Sequence, residues 1–269
     1  MLVKRARQLT ASSLDFAYTD SFVLNPGAAD MAGRGYLNML ICGSSGSGKS
    51  HWVDEDLLPA LEGRYRHLVM INTTEELSRH CAHREYVGEE EQLKTYDVEG
   101  LAGLIRHHRR VFFEVAAGEN CKAFLETLGK ALWLLGQYNT DVTECLVVYD
   151  ETHLFLAKKS MPSSMARLET EGRKFGFDLV KITQTLQSTT GETLSHLAIK
   201  QVNVLVVFNM TDFNDRKRIQ ALFPSIPDPE TFARPDDGQP PEYAVRDSKR
   251  GRTVVIRRDG RGGRVAQAA

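Results

Sequence analysis

The sequence predicts an α/β fold, a mostly parallel central sheet covered by helices on both faces, and three observations carry that expectation. Short apolar runs alternate with helix-patterned stretches, the first run leads into a glycine-rich loop, and a chain of 269 residues can bury a sizeable core. The apolar runs are 36 to 42 (YLNMLIC), 67 to 71 (HLVMI), 110 to 115 (RVFFEV), 144 to 149 (ECLVVY), 178 to 183 (DLVKIT) and 202 to 208 (VNVLVVF). Each has the length and composition of a strand. Between two of them, Cys121, Phe124, Leu125, Leu128, Leu132 and Leu135 recur at three- and four-residue steps. That spacing predicts a helix with one apolar face against the sheet.

Composition excludes little but bounds the partners. With 42% hydrophobic and 26% charged residues the chain reads as globular, and a formal net charge of -1 gives no whole-chain attraction for nucleic acid. The basic start, MLVKRARQLTASSLDF, lacks the apolar stretch of a secretory signal, and no run of about 18 apolar residues follows, so the expected location is cytoplasmic. Cys42, Cys81, Cys121 and Cys145 show no C-x-x-C pairing, which predicts reduced, mostly packed thiols. His80 and His83 in HCAH supply two of the four groups that a zinc site needs, with nothing nearby to complete it, and read as surface histidines.

Residues 224–241 carry six of the nine prolines and cannot form a regular helix or central strand. Beyond them, residues 242–269 hold eight Lys or Arg against three Asp or Glu. The expected organisation is an N-terminal segment (1–35), a nucleotide-binding domain (36–223), a proline-rich linker (224–241) and a basic tail (242–269). The tail reads as a surface that contacts phosphates without reading bases or, equally, as a solvated tail or an edge hairpin around RTVVIRR. The acidic run at 89–91 reads as a solvated loop, and no internal repeat is visible.

The chemistry begins at LICGSSGSGKS, residues 40–50, which matches G-x-x-x-x-G-K-[ST]. Gly43, Gly46 and Gly48 let the backbone N–H groups of the loop, through Ser44, Ser45 and Ser47, turn inward around phosphates at the N-terminus of the following helix. Lys49 is the candidate ligand of the β- and γ-phosphates of ATP, and the Ser50 hydroxyl a candidate Mg2+ ligand. The alternative is a plain flexible loop, and the preceding strand and following helix argue against it. CLVVYDETHLF places Asp150 at the end of an apolar run, as a second Mg2+ ligand acting through water. Glu151 follows it as the candidate general base on the attacking water, with two acids capping a strand end as the alternative. His153 and Thr152 read as supporting groups. Gln184, at the carboxyl end of the 178–183 run, is the candidate γ-phosphate sensor.

Taken in order, LICGSSGSGKS, LVVYDETHLF, EGRKFGFDLVKITQT and NVLVVFNMTDFNDRKRI resemble the FtsK-HerA superfamily of DNA-pumping ATPases over about residues 36 to 222. The resemblance implies a RecA-like P-loop NTPase fold, a homo-oligomeric ring, usually a hexamer, and double-stranded DNA moved through its centre. It also places a motif like EGRKFG near the ring interface, which makes Arg173 the candidate arginine finger acting on a neighbour, with Arg167, Arg216 and Arg218 as fallbacks. A surface pairing of Arg173 with Glu169 or Glu171 is the alternative. The few residues before the first strand and the short, glycine-rich tail leave no room for the larger relatives' extra domains. What remains looks like the genome-packaging ATPases of membrane-containing icosahedral phages and archaeal viruses. Such a motor would work in host cytoplasm or on the virion, against capsid or membrane-vertex proteins. A conjugation or assembly ATPase moving single-stranded DNA or protein, and a nucleotide-switched scaffold, are the competing classes.

Overall fold

The computed structural model describes residues 36–61, 63–88, 96–116, 119–138, 144–157, 159, 161–186, 194–236, 239–249, 251–258 and 264–268. The 1–35 segment, the acidic run at 89–91, and Arg250 and Arg261 of the tail lie outside the described residues, as does the Arg264 side chain. The described residues belong to two compact units. One takes residues up to 62, 184–186 and everything from 203 onward, and the other takes 63–183 and 187–202.

The first unit is built on β1 (Asn38–Cys42), β7 (Val204–Val207), β8 (Tyr243–Asp247), β9 (Arg252–Arg258) and β10 (Arg264–Ala268), in the order β10-β9-β8-β7-β1. β1 and β7 run parallel, while β8 to β10 are added antiparallel. β1 is buried at every position, the polar Asn38 at its start included, and its apolar run from Met39 to Cys42 requires that burial. After the loop, helix α1 (Lys49–Trp52) continues through a π-helical turn (Val53–Leu57) into α2 (Leu58–Leu61). Trp52 anchors this helix. Its ring lies 5.9 Å from Phe208 and 5.5 Å from Tyr243, and its indole N–H donates to the Tyr243 hydroxyl at 3.1 Å. Three aromatics buried together hold the loop helix against β7 and β8, each worth roughly 1.5–3 kcal/mol by burial.

The second unit is an all-parallel sheet of β2 (His67–Asn72), β3 (His83–Val87), β4 (Arg110–Val115), β5 (Cys145–Tyr149) and β6 (Phe177–Thr183), ordered β6-β5-β2-β4-β3. Its helices are α3 (Val98–His108), α4 (Glu119–Tyr138), α5 (Thr152–Phe155), α6 (Ser163–Glu171) and α7 (His196–Lys200). α4 carries the apolar face expected from sequence, with Cys121, Phe124, Leu125, Leu128, Leu132 and Leu135 all buried. Lys181, inside the apolar run of β6, is also fully buried. Its ammonium donates to Glu169 of α6 at 2.8 Å and to the Ala198 carbonyl at 2.5 Å. β3 escaped the sequence reading because only its last residue, Val87, is buried, so no continuous apolar run marks it.

Burial pushes the thiols of Cys81 and Cys121 up to about 12 and those of Cys42 and Cys145 higher still, which favours the neutral thiol in all four. No helix among the described residues is long and apolar enough to cross a membrane. His83 stacks on His108 with ring centroids 3.8 Å apart and contacts Glu85 at 2.5 Å. Among the described residues no group of three His, Cys, Asp or Glu side chains is arranged to hold a metal.

Candidate functional site

In the first unit, the loop of residues 43–50 leaves β1 and turns through Gly46 at φ +70 and Gly48 at φ +93, conformations in which a side chain would be strained. Gly43 is constrained by space instead, since a Cβ there would stand 2.7 Å from Phe208 Cβ and 2.8 Å from Ser47 Oγ. The Lys49 ammonium lies within the turn, donating to the carbonyls of Gly43 at 2.7 Å and Ser44 at 2.9 Å. Because α1 starts at Lys49, the first N–H groups of the helix have no intrahelical acceptor and carry the positive end of its dipole. Ser47 Oγ is buried and has no hydrogen-bond partner among the described residues. This cradle suits a phosphate chain. The Ser50 hydroxyl in this unit and the Asp150 carboxylate in the other are, each by its own chemistry, hard oxygen donors of the kind that Mg2+ takes.

Asn209, just after β7, ties the loop to the proline-rich segment. Its carbonyl accepts from the Ser44 N–H at 2.8 Å, and its side-chain amide donates to the carbonyls of Phe232 at 2.7 Å and Glu230 at 3.1 Å. Arg234 closes the connection by donating from Nε to Asn209 Oδ1 at 2.8 Å. Pro241 comes so near that a Cβ on Gly48 would meet its Cγ at 2.8 Å. Residues 229–236 and 239–241 are therefore strapped along the phosphate loop. Sequence reasoning missed Asn209, although a polar residue at the carboxyl end of the apolar run VLVVFN is the same signal that marks Gln184.

Gln184 is exposed, and the two residues after it are fixed from α8 (Phe213–Leu222). The buried Asp215 carboxylate accepts from the Thr185 hydroxyl at 2.7 Å and from the Leu186 N–H at 3.1 Å.

In the second unit, Asp150 sits just past β5 and is 6% exposed. Its two oxygens are both engaged: Oδ2 accepts from Asn72 Nδ2 at 3.1 Å, and Oδ1 accepts from the Glu151 N–H at 2.9 Å. Asn72 ends β2, beside β5, and its own Oδ1 accepts from the N–H groups of Thr73 and Thr74, which orients the amide toward Asp150. Glu151 holds a left-handed backbone (φ 50, ψ 44), a conformation that costs about 1–3 kcal/mol in a residue with a side chain. It is the start of α5, whose Thr152 hydroxyl donates back to the Tyr149 carbonyl at 3.1 Å.

Arg173 stands exposed in a 3-10 turn (Gly172–Phe175). Neither acid weighed as its partner takes it. Glu169 pairs with Lys181, and Glu171 lies 3.8 Å from Arg167 and 3.9 Å from Lys174. Among the fallback arginines, Arg167 lies 3.5 Å over the Trp133 ring, Arg216 pairs with Asp228 and Glu230, and Arg218 donates to the Leu186 carbonyl.

No family model matches the chain, and no curated protein does. Solved structures do. The genome-packaging NTPase B204 of Sulfolobus turreted icosahedral virus 2, in its sulfate complex, superposes with a TM-score of 0.59 at 15% identity, over 82% of this chain and 95% of that one. B204 of Sulfolobus turreted icosahedral virus gives 0.52 at 18% identity, over 81% and 95%. VirB4 of Thermoanaerobacter pseudethanolicus gives 0.57 at 11% identity, over 86% and 93%. At such identities the likeness speaks to architecture, and that architecture is the RecA-like P-loop NTPase fold with a mostly parallel sheet.

Proposed function

We propose that the chain is an ATP-hydrolysing motor that moves double-stranded DNA, of the genome-packaging type, working as a homo-oligomeric ring that is most simply a hexamer. The observation that carries this reading is the phosphate loop wrapped around the Lys49 ammonium in the fold shared with B204, a packaging NTPase whose structures include an ATPγS complex. Lys49 and the loop N–H groups bind and orient the phosphates of ATP. Ser50 and Asp150 hold Mg2+, which when bound offsets charge on the phosphate oxygens. Glu151 orients the attacking water and accepts its proton, Gln184 senses the γ-phosphate, and Arg173 reaches a neighbouring subunit's nucleotide.

The deciding measurement is ATPase rate alone, with duplex DNA and with single-stranded DNA. Duplex DNA should raise the rate. The VirB4 likeness favours a second reading, a conjugation-type motor, and stimulation by single strands alone or by neither nucleic acid would select it. A rate that stays low throughout would leave a nucleotide-switched scaffold. Lys249 and Arg252, on the surface of the β8–β9 turn and β9, are candidate phosphate contacts. Changing both to Gln should weaken duplex affinity and flatten its salt dependence by about one unit of slope per lost contact.

A further inference from the structure

We infer that His153 is a positioning residue for Glu151, and that Thr183, at the end of β6, controls its hold on that carboxylate. The inference rests on the reading of Glu151 as the general base and adds to it a link between the base and the strand that leads to Gln184.

Three side chains of the second unit meet at one atom. His153 Nδ1 makes a 3.3 Å hydrogen bond with Thr183 Oγ1 and lies 3.3 Å from Glu151 Oε2, a contact at ion-pair distance that is not aligned as a hydrogen bond. The surroundings restrict all three. Thr183 is fully buried, and the side chains of His153 and Glu151 are only 18% and 20% exposed. The short helix α5 that carries His153 is held at both ends. Thr152 donates to Tyr149, and beyond the helix the Leu156 carbonyl accepts from the Ser195 N–H at 2.9 Å.

The chemistry of one imidazole nitrogen makes these two contacts compete. A carboxylate only accepts, a threonine hydroxyl accepts or donates, and Nδ1 of a neutral imidazole either carries a proton or does not. With the proton on Nδ1 and a small turn of the ring toward the carboxylate, Glu151 accepts from His153 and is fixed, and Thr183 is left as a second, weaker acceptor. With the proton on Nε2, the bare Nδ1 accepts from the Thr183 hydroxyl. That hydroxyl then takes up its single lone pair, Nδ1 offers no donor to the carboxylate, and Glu151 is released. The hydroxyl of Thr183 is thus the group that selects between a held and a free base. Thr183 is directly bonded to Gln184, so a displacement at the end of β6 changes that choice through the chain itself.

The test combines kinetics with a readout that needs no turnover. His153→Leu should lower kcat by about 10- to 100-fold with ATPγS affinity unchanged, the size expected when a group that orients a reacting ligand is removed. His153→Asn, whose amide can donate from near the Nδ1 position, should keep most of the rate. Separately, nitrogen NMR of histidine-labelled full-length protein reports whether Nδ1 is protonated. Thr183→Val and Glu151→Gln should each shift the His153 Nδ1 resonance, and Thr183→Ser should leave it near its native position. Native kcat in both His153 variants, or a resonance indifferent to Thr183→Val and to Glu151→Gln, overturns the inference. If the unmodified protein hydrolyses no ATP, the function reading fails, and the resonances still decide whether His153 answers to its two neighbours.

Discussion

Lys49 and Glu151 serve different stages of the proposed reaction, so their variants should fail differently. In that reaction Lys49 would contact ground-state phosphates, and it already holds the loop by two carbonyl bonds, so Lys49→Ala should weaken ATP binding and abolish turnover. Glu151→Gln preserves shape and loses the base, and should bind ATP with native affinity while turnover falls by roughly 10²- to 10⁴-fold. Filter binding beside a phosphate-release assay separates the two, and equal ATPase rates for Glu151→Gln and the native protein would remove Glu151 from the mechanism. Both residues stand out as candidates in sequence because loop glycines and a strand-end acid pair are local patterns. Asn72, which orients Asp150, was not legible. It lies 78 positions away, and only the pairing of β2 with β5 brings the two together.

At the scale of elements, the buried Lys181–Glu169 pair joins β6 to α6, and its worth lies in both partners being present. Burial pushes the Lys181 ammonium down from its usual value, and Glu169 draws it back up. Lys181→Met should strand the Glu169 carboxylate and destabilise the fold by about 3–5 kcal/mol, whereas Lys181→Met combined with Glu169→Leu should recover most of that loss. Urea midpoints report both, and a single variant as stable as the double one would mean that the charge finds relief elsewhere. The strap behaves differently with pH. Burial works to raise the Glu242 carboxyl, but the N–H groups of Arg258 and Ala233 and the Arg257 guanidinium outweigh it and hold the group below its usual value. Its stabilising contribution is therefore complete above the unfolded value of 4.5 and drains away as pH falls below it. Melting temperature followed from about pH 6 down to about pH 3 should fall less steeply in Glu242→Gln than in the native chain.

For the assembled molecule, the proposed ring makes Arg173 a group that one chain lends to another. A trans arginine adds a factor of about 10³ to 10⁵ in phosphoryl-transfer rate, so Arg173→Ala alone should be nearly inactive. Mixed with equally inactive Lys49→Ala protein, it should regain activity, because an intact loop on one subunit can face an intact Arg173 on the next. If co-assembly is demonstrated and the mixture stays as inactive as its parts, Arg173 does not act in trans. Deleting residues 242–269 is a poor probe of DNA contact, since it would strip β8 from β7 and remove Tyr243 from the cluster around Trp52.

By itself the sequence determined the fold class, the strands β1, β2 and β4 to β7, the buried face of α4 and the form of the phosphate loop. Each of these follows from side-chain period or from glycine spacing within a few residues. Tertiary structure decided what depends on distant partners. Asn209 became the tie between Ser44 and the strap, Asp215 the anchor after Gln184, and Lys181 a buried cation only because Glu169 and the Ala198 carbonyl meet it. Pairing likewise gave the tail its place, since β8 and β9 extend the sheet from β7. A polar or charged residue in a sequence shows its chemistry but not its partner, and burial makes it stable only where the fold supplies that partner.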